Sequence, residues 1–207
     1  MAYELAEHRH RFSAWAAARA TQRGLCDVAI LHAALEKCGV VSVVRTEDLV
    51  AFSASDFEGR HREWCDSVLR FLKGRGVARA TFGHATKLIG MYLKSMIVLG
   101  PWSDTTFARV AHPPIDSILL TTLSNSCACG QPHPWAKVKW TRLGRAAYYD
   151  LIAKLRSCVG PNEPFWKLER FWSAVGTGGP NQRMQRTHSR VTSRAGRAHG
   201  PRHAARR

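Results

Sequence analysis

Two stretches of the chain carry residue types that can do covalent chemistry. Gly83-His84-Ala85-Thr86-Lys87-Leu88-Ile89-Gly90-Met91-Tyr92-Leu93-Lys94 sets two lysines seven residues apart in an otherwise apolar run. His112-Pro113-Pro114-Ile115-Asp116-Ser117 presents an aspartate behind a rigid double proline. A lysine amine is a nucleophile once it has lost its proton, and the product of its attack is a Schiff base; a carboxylate beside it can help remove that proton and stabilise a developing cation. No other stretch puts a possible amine nucleophile and a possible helper carboxylate in such defined settings.

On a helix, Lys87, Gly90 or Met91, and Lys94 fall on one face, because steps of three, four and seven residues return a side chain to the same side. Leu88, Ile89, Tyr92, Leu93, Met96 and Leu99 form the other, packed face. A glycine between the lysines removes bulk, so that a backbone or a ligand can come close. Asp116 precedes an apolar helix and is expected at its N-terminus, where unpaired amides and the helix dipole favour a carboxylate. Each residue also has a plain structural reading: Lys87 as a solvated cation on an amphipathic helix, Asp116 as a helix cap.

The elements that must position these residues read as helices. Leu5 to Arg23 is rich in alanine, with Leu5, Phe12 and Trp15 or Arg19 at helical spacing and Gly24 as its stop. Val28 to Lys37 is a second helix, closed by Gly39. Ser55 to Lys73 carries the stripe Trp64, Val68, Phe71 and Leu72. The lysine helix spans Thr81 to Leu99; Ile115 to Ser124, Leu143 to Cys158 and Glu163 to Val175 come after it. Only the valine-rich Val40 to Arg45 reads as a possible strand, and one strand makes no sheet. The expected fold is all-α: one helical domain of about seven helices over residues 1–176 and a basic tail over 177–207.

With their flanks, the two stretches resemble the helix-hairpin-helix DNA glycosylase superfamily, in its 8-oxoguanine glycosylase and AP-lyase branch. Gly83-His84-Ala85-Thr86-Lys87 is similar to the hairpin and nucleophile of that family, and Pro114-Ile115-Asp116 to its aspartate turn. The resemblance implies excision of an oxidised purine from double-stranded DNA by a Lys87 nucleophile assisted by Asp116, without a metal or other cofactor. The family's hairpin carries glycines two apart, whereas here Ala85 stands in the second position, which puts backbone gripping of a phosphate in question. For such chemistry the base must leave the duplex and be sandwiched by flat or apolar groups. Met91, one turn beyond Lys87, and Glu169 with Trp172 in Phe165-Trp166-Lys167-Leu168-Glu169-Arg170-Phe171-Trp172 are the candidates; the alternative is that Phe165, Leu168 and Trp172 are simply core. Lys94 and His84 are the candidate DNA-backbone contacts, and Lys94 is also the cation expected to help lower the Lys87 pKa.

Composition points to a polyanionic partner, a nucleic acid first and an anionic membrane surface second, and charge alone does not choose between them. The 207 residues carry a net charge of +16 with 45% hydrophobic residues, enough for a core and strongly basic. The tail from Thr177 holds eight arginines and no acid, so it supplies half of that charge. Its composition predicts disorder. Within it, Asn181-Gln182-Arg183-Met184-Gln185-Arg186-Thr187 and the stretch from Arg194 to Arg202 resemble translated recombination-site sequence at the ends of bacterial mobile gene cassettes, which implies read-through. Six cysteines scattered through a chain with its own core are expected to be reduced thiols. Cys127, Cys129 and His133 lie at zinc-ligand spacing but lack a fourth ligand nearby. His8 and His10 read as exposed. With no signal-peptide pattern and no apolar run of membrane-spanning length, a cytoplasmic, nucleoid-associated monomer is expected. Two other classes stay open: a non-catalytic helical nucleic-acid-binding protein that kept the scaffold, and a mobile-element or defence-associated module whose partner is a protein.

Overall fold

Helix starts in this chain are written in its caps. The hydroxyl of Ser53 accepts from the Asp56 amide and the Asp56 carboxylate accepts in return from the Ser53 amide, a capping box that opens the longest helix. Thr81 opens the lysine helix in the same way, with His84 in the position usually held by a glutamate. Asp116 caps a third helix through the Leu119 amide.

The structure is a computed structural model and describes residues 3–46, 49, 52–126 and 134–173. Among these residues eight α-helices run in order: α1 Leu5–Gln22, α2 Val28–Lys37, α3 Val40–Thr46, α4 Ala54–Gly74, α5 Phe82–Leu93, α6 Thr106–Val110, α7 Ser117–Asn125 and α8 Arg145–Arg156. A π-helical turn, Lys94–Val98, prolongs α5, and 3-10 turns lie at Pro134–Lys137, Trp140–Arg142 and Phe165–Phe171. The fold is all-α, with no strand among the described residues. Met1–Trp172 forms one unit; a second, Ser173–Arg207, lies outside the described residues beyond Ser173, as does the tail expected to be disordered. No helix among the described residues is long and apolar enough to cross a membrane.

Helix α5 is the axis of the fold. Eleven of its twelve residues are buried and only Met91 is half-buried, because α1, α4, α8 and the Trp140–Arg142 turn all pack against it. A helix covered all round tolerates no bulk where a neighbour's backbone passes. A Cβ on Gly83 would lie 1.9 Å from the Trp140 carbonyl oxygen, and the Gly83 amide donates to the Leu143 carbonyl at 3.0 Å. The lysine face is less open than expected: Lys87 and Gly90 are buried, and Met91 and Lys94 are half-buried.

Other expectations are corrected as well. Helix α1 buries its small residues, Ala14, Ala17 and Ala18, and leaves Leu5, Phe12 and Trp15 at 70%, 58% and 52% exposure. Alanine lets α1 lie close against α5, and the large apolar residues that looked like its core stripe face out. The valine run expected as a strand is helix α3, its β-branched residues taken up by the core. Leu99 is 71% exposed, since the π turn adds a residue to the register after Lys94 and turns it away from the core. The expected helix over 163–175 is the short 3-10 turn Phe165–Phe171, with Trp172 already extended.

Buried histidines tie the elements together. His10, expected to be exposed, is 5% exposed; its Nδ1 meets the Tyr92 hydroxyl at 3.0 Å and its Nε2 the Glu36 carboxylate at 3.0 Å, linking α1, α5 and α2. Burial, with Arg62 nearby, pushes His61 down to about 3, so it is neutral, and its Nδ1 meets the Tyr149 hydroxyl at 2.8 Å. His112 is held well below its ordinary pKa by burial and then by His61 and Arg156, and its Nδ1 meets the Tyr148 hydroxyl at 3.2 Å. That bond fixes the segment leading to Asp116. Cys26, Cys38 and Cys65 are free thiols, but Cys158 is disulfide-bonded, which corrects the expectation that all six cysteines are reduced.

Candidate active site

Gly90 is what brings the two chemical stretches together. On α5, three residues after Lys87, its missing side chain leaves room for the His112-Pro113-Pro114 backbone; a Cβ there would meet Pro114 Cα at 3.2 Å and the His112 carbonyl oxygen at 3.4 Å. The space is filled by backbone, not by an open face. Lying against α5 in this way, the proline turn delivers Asp116 to Lys87: the Lys87 Nζ donates to Asp116 Oδ2 at 2.9 Å, across 29 residues of sequence. Lys87 is 5% and Asp116 4% exposed. A solvated lysine is ruled out by that burial. Asp116 does cap α7, through Oδ1 and the Leu119 amide at 3.0 Å, but its other oxygen is committed to the lysine and to the Trp172 indole N–H, which donates at 3.0 Å.

The electrostatics of the pair stem from this packing. Burial is the largest influence on Lys87 and lowers its pKa; the Asp116 charge and hydrogen bond, and Glu169, oppose it, and Arg23 adds to the lowering. The amine ends below its ordinary range. For Asp116 burial again comes first and pushes upward, but the Lys87 charge, the Leu119 amide and the Lys87 and Trp172 hydrogen bonds outweigh it, so the carboxyl ends below its usual range. Lys94 does not act as expected on Lys87. It forms an ion pair with Glu169, and its ammonium lies 5.6 Å from the Trp172 ring centroid, so its charge is spent locally and Arg23 is the cation that Lys87 feels. Burial raises the Glu169 pKa against the pull of Lys94.

These groups open into one cleft of about 290 Å³, with Lys87, Asp116, Met91, Lys94, Glu169 and Trp172 all in its wall. Both side chains of the pair at its centre are buried; Trp172, at 39% exposure, stands at the edge. The 3-10 turn accounts for this split: Phe165 and Leu168 go into the core, while Glu169 and Trp172 leave it for the cleft.

One residue predicted for the site is elsewhere. His84 is 8% exposed; its Nδ1 serves the Thr81 cap and its ring packs at 5.6 Å on Trp140, so the reading of His84 as a DNA-backbone contact gives way to a capping role. The Gly83 amide is likewise taken by Leu143, not presented outward. Sequence reasoning missed Arg19 and Arg23, which line the cleft from the end of α1 and are exposed. Arg23 is also the one non-glycine residue with positive φ among the described residues (φ 25°, ψ 49°), a conformation disfavoured for a side chain of its size. Two arginines four apart at a helix end give a weak signal in sequence, and nothing there says that α1 ends beside Lys87. No group of three metal-ligating side chains occurs among the described residues, and the Cys127, Cys129 and His133 reading lies outside them.

Compared with protein-family models, with curated proteins and with solved structures, the chain matches none. What this cleft does must be read from its own groups.

Proposed function

We propose that the chain is a DNA glycosylase with associated AP-lyase activity that removes an oxidised purine, 8-oxoguanine being the first candidate, from double-stranded DNA. The observation that carries this reading is the Lys87–Asp116 pair, buried and 2.9 Å apart, opening into a cleft that also holds Trp172 and Met91. A volume of about 290 Å³ is at the small end of ligand sites, suited to one base and not to a whole nucleotide.

In this reading Asp116 accepts the Lys87 proton, and the amine attacks the sugar C1′ as the bond to the base breaks. The carboxylate then offsets the positive charge developing on the sugar. Opening of the C1′–O4′ bond in the product turns it into a Schiff base, with O4′ taking a proton, and the Schiff base permits loss of a proton from C2′ and departure of the 3′ phosphate, which cleaves the strand. Trp172 offers a flat face and Met91 a deformable apolar one to the everted base. Glu169, held by Lys94, can accept hydrogen bonds from the N–H groups of a purine edge. Arg19 and Arg23 at the mouth are suited to the flanking phosphates.

The test is borohydride trapping on an 8-oxoguanine duplex. Wild type is expected to give a covalent adduct that Lys87→Gln abolishes, and Asp116→Asn should slow its formation by about 10²- to 10⁴-fold. An undiminished adduct in Lys87→Gln rejects the assignment. A second reading is a non-catalytic DNA-binding protein, whose phosphate contacts would come from Arg19 and Arg23, since the Gly83 amide is taken up inside the fold. That reading expects salt-sensitive duplex binding with no base release in wild type and no change in Asp116→Asn.

A further inference from the structure

A second cavity, sharing no residue with the cleft of Lys87, lies among α4, α6, α8 and the Phe165–Phe171 turn and measures about 440 Å³. That is the size range of sites for small organic molecules. Its walls are aromatic: Phe57 and Phe165 are 1% and 2% exposed, and Tyr149 is half-buried. Glu58 at its rim is exposed, so the cavity is open to solvent.

Two arginines line it, and they are not equivalent. Arg62 lies over the Tyr149 ring at 4.7 Å and is paired with the Glu58 carboxylate at 3.2 Å. Arg156 lies over the Phe165 ring at 5.2 Å, and its Nη2 donates to the Glu163 carbonyl at 3.0 Å. Its Nη1 is buried and has no hydrogen-bond partner, and no carboxylate among the described residues forms an ion pair with it. A buried guanidinium N–H left unpaired is costly, and native interiors rarely keep one without a reason. Burial and then the nearby Arg109 charge hold this guanidinium below its ordinary range; the excess positive charge of the cavity rests on its having no carboxylate partner while Arg62 has one. His112 in the wall is neutral and leaves that excess intact.

We propose that this cavity binds a small aromatic monocarboxylate, its carboxylate drawn to the Arg156 guanidinium in the wall and its ring among Phe57, Tyr149 and Phe165. The planar guanidinium fork matches a carboxylate in shape and charge. The walls offer the edge-to-face and offset contacts that an aromatic ring takes. With Arg62 already paired to Glu58, one uncompensated positive charge remains, which suits a monoanion better than a dianion. The proposal is independent of the chemistry assigned to the Lys87 cleft.

Titration calorimetry of the full chain with phenylacetate and indole-3-acetate tests it, with phenylacetamide as the neutral isostere and inorganic phosphate as an anion lacking a ring. Saturable 1:1 binding of the two carboxylates is expected, with the amide and phosphate each weaker by at least about tenfold. Arg156→Gln should weaken binding by a similar factor. Since Arg156 also holds the Glu163 carbonyl, a second variant leaves it untouched: Ala153→Phe, at an exposed α8 position in the cavity wall, fills the space and should abolish binding while the far-ultraviolet circular dichroism is unchanged. Equal binding of phenylacetate and phenylacetamide, phosphate binding as tight as the carboxylates, unchanged affinity in Ala153→Phe, or no saturable binding at millimolar concentration would each overturn the proposal.

Discussion

Replacing Asp116 by asparagine isolates what the buried pair contributes, because asparagine keeps the cap. As an N-cap it is as good as aspartate, so the Leu119 amide stays satisfied, and its size leaves the turn undisturbed. What is lost is the negative charge beside a Lys87 ammonium that is 5% exposed, and with it the oxygen that accepts from the Trp172 indole N–H, which then faces the amide NH2. Removing one member of a buried ion pair costs about 3–5 kcal/mol. A ceiling applies, because the amine can shed its proton instead. Starting from the ordinary lysine value of 10.5, neutralisation costs about 1.36 kcal/mol per pH unit below it, or about 4 kcal/mol at about pH 7.5 and about 1.4 kcal/mol at about pH 9.5. The sign comes from proton counting: in the variant the folded amine binds fewer protons than the unfolded one, so stability rises with pH until about the unfolded pKa is passed. Urea denaturation followed by tryptophan fluorescence should therefore show a deficit of about 3–4 kcal/mol near pH 7.5 that shrinks by more than half near pH 9.5. The double variant Lys87→Met/Asp116→Asn, with no charge left to strand, should be more stable than the single one near neutral pH. A single-variant deficit under about 0.5 kcal/mol, or one that does not change with pH, would mean that the pair is not desolvated and that the reasoning fails.

Two other substitutions probe the frame of the cleft. Gly83→Ala puts a Cβ 1.9 Å from a backbone oxygen that cannot rotate away, so a loss of at least about 1–3 kcal/mol is expected. Thermal unfolding should register it at about 2–4 °C per kcal/mol, and an unchanged midpoint would show that the Trp140–Arg142 turn yields freely. Arg23→Gly relieves a left-handed side-chain conformation worth about 1–2 kcal/mol, so stability should hold or rise even as duplex binding weakens. Fluorescence anisotropy across a salt series should show the salt slope reduced by about one; an unaltered slope removes Arg23 from the DNA contact.

Much of the architecture is legible in the chain, and where it is not the reason is physical. Helix α2 begins and ends where its apolar spacing and Gly39 put it, and the cap of α7 is implied by Asp116 after a double proline. Local propensity misleads at α3, where a valine run that would suit a strand is carried into a helix by its packing. Hydropathy misleads at α1, because the residue that best allows close helix contact is alanine and not the phenylalanine or tryptophan beside it. The Lys87–Asp116 pair could be suspected because each residue sits in a distinctive local motif. Arg19 and Arg23 could not, since exposed arginines carry no periodic signature and their relation to Lys87 exists only once α1 is docked on α5. Six scattered cysteines gave no hint of the disulfide at Cys158.

The dependence of the site on packing is sharpest at Gly90. A Cβ there would lie 3.2 Å from Pro114 Cα and 3.3 Å from Pro114 N, closer than such atoms ordinarily approach, so one backbone must give by a few tenths of an ångström. Helix α5 is held on all sides, so it is the proline turn that moves, and Asp116 is two residues further along it. Gly90→Ala gains about 1 kcal/mol in helix propensity, which offsets much of the crowding, so global stability should change by less than about 1 kcal/mol. The pair should respond far more. As Asp116 draws away from the 2.9 Å contact, Lys87 keeps its burial and loses part of the opposing charge, so its pKa falls further. Nuclear magnetic resonance titration of the Lys87 amine reads this without reference to any substrate, and the same displacement should slow Schiff-base trapping by up to about 10²-fold. A Lys87 titration identical in the two proteins would show that the carboxylate stays in place without the glycine, and that the close approach of the proline turn does not position the site.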